Sequence, residues 1–413
     1  MACFDGVGLH ALAERLGTPL NVYSAGAIRR RIGELQDALA GLDAGICFAV
    51  KANPNLAILQ LMAQAGVGAD IVSAGELRRA LNAGMPADRI VFSGVGKSGE
   101  EIAEALRVGI ARFNVESLDE LHTLQRLAKA QDVVARAAVR INPDVDARTH
   151  AKISTGKSEN KFGVSIAEAR DWFAARQALS HVQLDGLHVH IGSQILTLEP
   201  FRLAFERVAA FWRELERAGH PIRSIDLGGG LGVCYRAGED RPLRAADYAG
   251  LVREALGDYR GRLLFEPGRY LVAEAGVLLT RVLRIKEGSE RRFLVLDAAM
   301  NDLQRPSLYD AWHDIVPVSP GTRPAATYDV VGPVCETGDT FARARVLPEC
   351  APGDLLAIQG TGAYGASMAS TYNSRPLAAE ALLDGGRYAL IRRRQTLEEM
   401  VAGEQPAHDW ATP

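Results

Sequence analysis

From Ala25 to Ala275 the chain alternates short apolar runs with longer segments whose apolar residues recur every three or four positions. The runs predict buried strands at 46–51, 70–73, 90–93, 113–116, 137–141, 184–190, 224–228 and 262–266, because an unbroken apolar run leaves no solvent-facing side. Between them the spacing predicts helices. Leu77, Ala80 and Leu81 mark one; Phe201, Ala204, Phe205, Val208, Phe211, Trp212 and Leu215 mark a longer one. Gly66, Gly84, Gly109 and Gly219 stand where such helices should stop. Eight strands with intervening helices match a parallel (β/α)8 barrel, which takes ~250 residues. An open, doubly wound sheet satisfies the same count.

After Gly276 the pattern changes. Val277–Lys286, Glu287-Gly288-Ser289 and Phe293–Asp297 predict a β-hairpin, and Tyr328–Val331, Leu355–Ile358 and Tyr388–Ile391 predict further strands between Gly and Pro. A short helix (Leu9, Leu12, Leu16) precedes a strand near Val22. The expected organisation is therefore a barrel at 25–275 and a β-rich domain made of 1–24 plus 276–413, with the N-terminal strand joining the latter. Asp144–Gly163, rich in Thr, Ser, Lys and Gly, is long enough to suggest a functional loop or lid.

Composition narrows the function classes. A charged content of 23% with net charge −3 and mixed signs predicts neither a nucleic-acid nor a membrane-surface partner. The opening residues Met1–Gly6 have neither a basic nor an apolar leader region, and no apolar run reaches the ~18 residues of a membrane span. Cys3, Cys47, Cys234, Cys335 and Cys350 are odd in number and lack paired spacing, which argues against a disulfide framework or zinc site and for a reducing cytoplasm.

Candidate chemistry collects at the predicted strand carboxyl ends, the face on which barrels work. The first strand ends at Lys51, where desolvation can lower an amine's pKa and make it a nucleophile; a strand-end lysine reaching solvent is the plainer alternative. The sixth ends at His190 and the eighth at Glu266-Pro267-Gly268-Arg269. The seventh ends at Gly228-Gly229-Gly230, whose N–H groups could converge on an anion or simply make a tight turn. An amine, an anion cradle, a carboxylate and an imidazole are what pyridoxal 5′-phosphate requires.

These segments resemble a known family. Phe48–Asn53, Gly94-Val95-Gly96-Lys97, His188–Gln194, Gly228–Gly230, Glu266–Arg269, Cys335-Glu336, Gly362-Ala363-Tyr364 and Tyr372–Pro376 recur in the order seen in diaminopimelate decarboxylases, members of the alanine-racemase-like fold group of pyridoxal-phosphate enzymes. The likeness spans roughly residues 8 to 395. It implies decarboxylation of meso-2,6-diaminopimelate to L-lysine, with Lys51 bonded to the cofactor, His190 stacked on its ring and Ser193 nearby. Gly229, Gly230, Gly268, Arg269 and Tyr364 would hold the phosphate. Glu266 would pair with the ring nitrogen, where racemases of the fold group place an arginine; the carboxylate favours loss of CO2 over racemisation.

The resemblance further implies that Cys335 returns a proton to the product from the partner subunit, making an obligate homodimer with shared active sites. Read by itself, a lone cysteine such as Cys335 is more often a buried apolar residue than a catalyst. Arg269, Arg305 and Tyr309 would meet the substrate's far carboxylate and Glu336 its far ammonium, with Tyr364 also at the substrate, although each arginine could be an ordinary ion-pair partner. Ornithine relatives carry Cys-Asp where this chain has Cys335-Glu336. The alternatives are a fold-group decarboxylase for another diamino acid, and a non-catalytic binding protein that kept the fold.

Overall fold

The computed structural model of the chain describes residues 2–146, 161–319 and 322–407. It divides into two compact units: Ala25–Ala275 with Gly362–Ser367, and Met1–Ser24 with Gly276–Thr361 and Met368–Pro413. The suggested lid falls mostly on 147–160, outside the described residues.

In the first unit eight parallel strands form a closed barrel: β1 (Ala44–Ala49), β2 (Gly68–Ile71), β3 (Ile90–Phe92), β4 (Arg112–Val115), β5 (Ala135–Arg140), β6 (Val182–His188), β7 (Ser224–Asp226) and β8 (Arg262–Phe265). Each pairs with its neighbour in sequence, and β8 returns to β1 through Leu263–Ala44, Leu264–Gly45 and Phe265–Ile46. The closure removes the open sheet from consideration.

Helices shield the barrel because their apolar faces match its outer surface. The helix Glu199–Arg217 buries Phe201, Ala204, Phe205, Val208, Phe211, Trp212 and Leu215, each contributing about 1.5–3 kcal/mol for the larger side chains. Phe201 and Phe205 meet Tyr248 edge-on at 5.1 and 5.8 Å between ring centres. Serines start the helices after several strands: Ser73, Ser98, Ser117 and Ser165 each accept the backbone N–H three residues on, worth about 1 kcal/mol apiece. Gly66, Gly84, Gly109 and Gly219 end their helices with φ between +71° and +82°, a conformation that a Cβ disfavours.

All eight strands stop one or two residues short of their predicted ends, and the stops of β1 and β7 have a local cause. β1 closes at Ala49, and Val50–Ala52 coil into one 3₁₀ turn held by Asn53 N–H donating to the Val50 carbonyl (3.0 Å). β6 ends at His188 and β8 at Phe265. β7 ends at Asp226, whose Oδ1 accepts from Gly228 N–H at 2.9 Å and turns the chain. Lys51, His190 and Glu266 thus lie just beyond their strands.

The second unit is built on a nine-stranded sheet. Gly276–Glu287 pairs antiparallel with Arg292–Leu296, the predicted hairpin, and Leu20–Ser24 lies between Gly276–Glu287 and Ala379–Asp384. The N-terminal strand therefore joins this sheet. Both its faces are covered: Leu278 belongs to one buried cluster with Leu294, Tyr328 and Ile358, while Val277 and Leu279 belong to another with Leu9, Leu12 and Leu20. The two-residue period of a strand produces that division. The strands Ile315–Pro317, Thr340–Pro348 and Ala379–Asp384 were not expected from the sequence pattern.

Candidate active site

The carboxyl ends of the barrel strands bring together a buried polar group that apolar strands have no structural reason to carry. Lys51 Nζ donates to Asp70 Oδ2 at 2.8 Å; the lysine side chain is 42% exposed and the aspartate fully buried. Burial pulls the lysine pKa down, but the charges of Asp70, Tyr364 and Glu266 outweigh it and hold the ammonium above the lysine range. The expected depression is thus reversed, because the sequence pattern gave no sign that Asp70 faces Lys51. Burial and the charge of Glu266 in turn raise Asp70.

Glu266 follows β8 and is enclosed on every side. Oε1 accepts from Ser93 Oγ and Asn114 Nδ2, both at 3.2 Å, and His188 Nε2 donates to Oε2 at 3.1 Å. Burial opposes its charge, yet His188, Lys51 and His190 hold its pKa well below the carboxylate range. Asp226, fully buried in β7, moves the other way: burial and the neighbouring Glu266 charge push it well above its ordinary value. Ligand atoms of His188, Asp226 and Glu266 lie within 4.8 Å of one another. Two carboxyls so close do not both ionise, and here Glu266 is the anion and Asp226 the acid.

His190 accepts Gly229 N–H on Nδ1 at 3.1 Å, which places its proton on Nε2. Burial, with the Arg140 and Lys51 charges, lowers it to about 3, so it is a neutral imidazole. Arg140 is itself bound to Glu116 at 2.9 Å. The glycine turn is close-packed: a Cβ on Gly229 would sit 2.3 Å from the Glu266 carbonyl, and one on Gly230, at φ +115°, 2.8 Å from that of Gly192. The N–H groups of Gly228 and Gly229 are committed to Asp226 and His190, so Gly230 and its neighbours face an anion with fewer donors than three glycines promised.

Arg269 is buried. Its Nη1 donates to Tyr235 Oη at 2.6 Å, Nε and Nη2 contact Ser193 Oγ at 3.3 and 3.1 Å, and its guanidinium lies 4.9 Å from the Tyr364 ring centre. Tyr364 N–H donates to the Ala52 carbonyl at 2.8 Å. Gly268 leaves no room for a side chain, since its Cβ would approach those of Ala52 and Ala49 at 3.0 and 3.1 Å. Lys97, from the Gly94–Lys97 motif, is buried on Glu120 at 2.7 Å and on the Gly94 and Asn114 carbonyls.

Arg305, Tyr309, Cys335 and Glu336 belong to the second unit. Arg305 and Tyr309 begin and end one short helix, Arg305–Tyr309. Arg305 Nη1 donates to His313 Nε2 at 2.8 Å, and His313 Nδ1 donates to the Gln359 carbonyl at 2.7 Å. Cys335 is exposed, not a buried apolar residue. Glu336 accepts from Tyr372 Oη at 2.9 Å.

Sequence reasoning passed over Asp70, Ser93, Asn114, Asp226, Tyr235 and His313. A signal was present for three of them. Asp70, Asn114 and Asp226 interrupt otherwise apolar strands, and a polar side chain at such a position must find a partner inside the barrel.

A closed parallel barrel whose strand ends present an amine, an ionised carboxylate, a neutral imidazole and a glycine turn with no room for side chains has the donor set of a pyridoxal-phosphate enzyme. The comparisons agree. Residues 25–273 match the family described as pyridoxal-dependent decarboxylase, pyridoxal binding domain. The diaminopimelate decarboxylase of Zymomonas mobilis is 49% identical over 408 residues, 98% of this chain and 96% of the relative. The crystal structure of diaminopimelate decarboxylase from Helicobacter pylori complexed with L-lysine superimposes with a TM-score of 0.93 at 44% identity, covering 96% of this chain and 99% of that one. The M. jannaschii diaminopimelate decarboxylase, also in complex with L-lysine, gives 0.93 at 37% identity over 98% and 96%. The chain belongs to the pyridoxal-dependent decarboxylases, in the group of the diaminopimelate decarboxylases. It is an enzyme, and its cofactor is pyridoxal 5′-phosphate.

Proposed function

We propose that the protein removes CO2 from meso-2,6-diaminopimelate to give L-lysine, the last step of lysine biosynthesis. The observation that carries this is Glu266, an anion held by three donors at the base of the Lys51 rim. The substrate assignment is supported by relatives of that name that match nearly the whole chain.

When bound, pyridoxal 5′-phosphate supplies a sink for the electron pair left by departing CO2. The chain supplies the rest. Lys51 would hold the cofactor through its amine. Before it can act as a nucleophile its ammonium must lose a proton, and the Asp70 carboxylate at 2.8 Å opposes that loss by stabilising the charge. Glu266 would hold the ring nitrogen and favour its protonated form. The neutral His190 would pack on the ring, with Ser193 beside it. Gly230, Gly268 and Tyr364 would hold the phosphate, with Arg269 and Gly229, whose N–H is committed to His190, close by.

We assign Arg269, Arg305 and Tyr309 to the far carboxylate, Glu336 to the far ammonium, and Tyr364 to the substrate as well. A second carboxylate would meet these guanidinium groups, a gain that a substrate without one, such as ornithine, forgoes. His313 is the positioning residue for Arg305. His313→Ala should raise KM for diaminopimelate about tenfold and leave kcat nearly unchanged, because it loosens ground-state and transition-state binding alike. Equal losses in both constants would show a different role.

We further propose a cytoplasmic homodimer in which Cys335 of one subunit serves the Lys51 of the other. The exposed setting of Cys335 and the five free cysteines suit this reading, and among the described residues no helix is long and apolar enough to cross a membrane. Mixing the inactive variants Lys51→Ala and Cys335→Ser under exchanging conditions should restore about a quarter of wild-type activity, since half the dimers then carry one intact site of two. Mixtures that stay inactive despite demonstrated subunit exchange would rule out the shared site.

The function itself is tested by CO2 release and product identity from purified protein given meso-diaminopimelate, with ornithine and lysine as competitors. L-lysine formed in step with CO2 supports the assignment. Faster turnover of either competitor would overturn it.

A further inference from the structure

At the other end of the barrel, where its strands begin, lies a cavity of about 730 Å³. Five arginines line it, Arg89, Arg112, Arg136, Arg223 and Arg262, against one carboxylate, Asp88. They come from the approaches to β3, β4, β5, β7 and β8, so the topology itself gathers them. Their pairing is loose. Asp185 lies 3.4 Å from Arg112 and 3.8 Å from Arg223, and Asp43 lies 3.7 Å from Arg262. These distances exceed the 2.7–3.2 Å or so of a formed hydrogen bond. With Asp43 and Asp185 counted, the arginines still outnumber the carboxylates by two.

A second observation points the same way. Arg112 and Ser224 are 5% and 3% exposed, and Arg112 Nη1 and Ser224 Oγ have no hydrogen-bond partner among the described residues. Both converge on Gly186, where a Cβ would lie 2.5 Å from the nitrogen and 3.0 Å from the oxygen. A buried guanidinium with an unused donor is costly, and burial lowers its pKa. Arg89, Arg136, Arg223 and Arg262 are exposed around it, Arg89 with its Nη1 at 3.4 Å from the Gly66 carbonyl.

We propose that this cavity binds a small, multiply charged oxyanion bearing phosphate or carboxylate groups. The guanidinium fork matches either group bidentately. The site rests on the barrel and is separate from the proposed reaction.

The test is calorimetric titration of the holoenzyme, whose cofactor occupies the catalytic phosphate site, with inorganic phosphate and then citrate. Chloride sets a constant ionic strength. One equivalent should bind per chain, and the better of the two probes names the source as phosphate ester or polycarboxylate. The double variant Arg136→Gln/Arg262→Gln should weaken binding about tenfold or more, with turnover and melting temperature unchanged. Arg269→Gln, in the active site, should leave it intact. No saturable binding above the chloride control, binding that survives the double variant, or binding lost in Arg269→Gln would each overturn the proposal.

Discussion

Lys51→Ala is expected to lower decarboxylation by about 10³-fold or more and to remove the visible absorbance of lysine-bound cofactor. The side chain has two separable properties, a charge and a nucleophilic amine. Its ammonium neutralises the buried Asp70 at 2.8 Å and helps to hold Glu266 ionised, so alanine removes both at once. Lys51→Arg divides them: it keeps a cation near Asp70 and Glu266 but provides no amine that can bond an aldehyde. The arginine variant should therefore be as inactive as alanine while melting closer to wild type. Arginine retaining more than a few per cent of activity would mean that Lys51 acts through its charge, and the covalent role would be abandoned. Asp70→Asn is the companion measurement. It removes the largest influence that raises Lys51, so the pH at which the amine becomes reactive should fall.

That dependence on Asp70 also marks the limit of what the linear sequence discloses. Periodicity placed the eight strands and the two long helical patterns, because burial on both faces and a 3.6-residue repeat are written locally. The rim residues Lys51, His190, Gly228–Gly230 and Glu266 were also legible, since a strand's carboxyl end can be read from where its apolar run stops. What escaped was pairing across strands. Ala49 stands in register with Asp70 and Asp226 with His188, and nothing local says so. The same holds in the second unit. Asp297–Asn301 had no evident purpose as a string. In the fold Asp297 accepts from Thr280 Oγ1 and Arg281 N–H at 2.7 and 2.8 Å, and Asn301 Oδ1 takes Arg375 Nε at 3.0 Å. The Tyr372–Pro376 motif is thereby tied to that segment and, through Tyr372, to Glu336.

Glu266→Gln is expected to reduce kcat about 10²-fold or more with little change in KM, because the carboxylate matters when the electron pair arrives and not when substrate binds. The amide also creates a local conflict. His188, Ser93 and Asn114 all donate to Glu266, so the new NH2 must either face a donor or force the His188 proton onto Nδ1, which has no partner among the described residues. A stability loss of about 1–3 kcal/mol should accompany the substitution, visible as a lower melting temperature. Stability loss by itself does not explain a fall in kcat of folded enzyme, and pH separates the two. In the wild type Glu266 is ionised throughout the working range and Asp226 is kept protonated, first by burial and then by the Glu266 charge. Glutamine removes that charge and Asp226 falls towards its ordinary value, although burial still holds it up. As pH rises Asp226 then loses its proton and restores one negative charge to the same cluster. Residual activity of Glu266→Gln should climb with pH where the wild type shows no such limb from this pair, and Asp226→Asn added to it should flatten the climb. A pH profile for Glu266→Gln parallel to wild type would show that Asp226 does not exchange its charge state with Glu266, and the acid–anion assignment of the pair would fall.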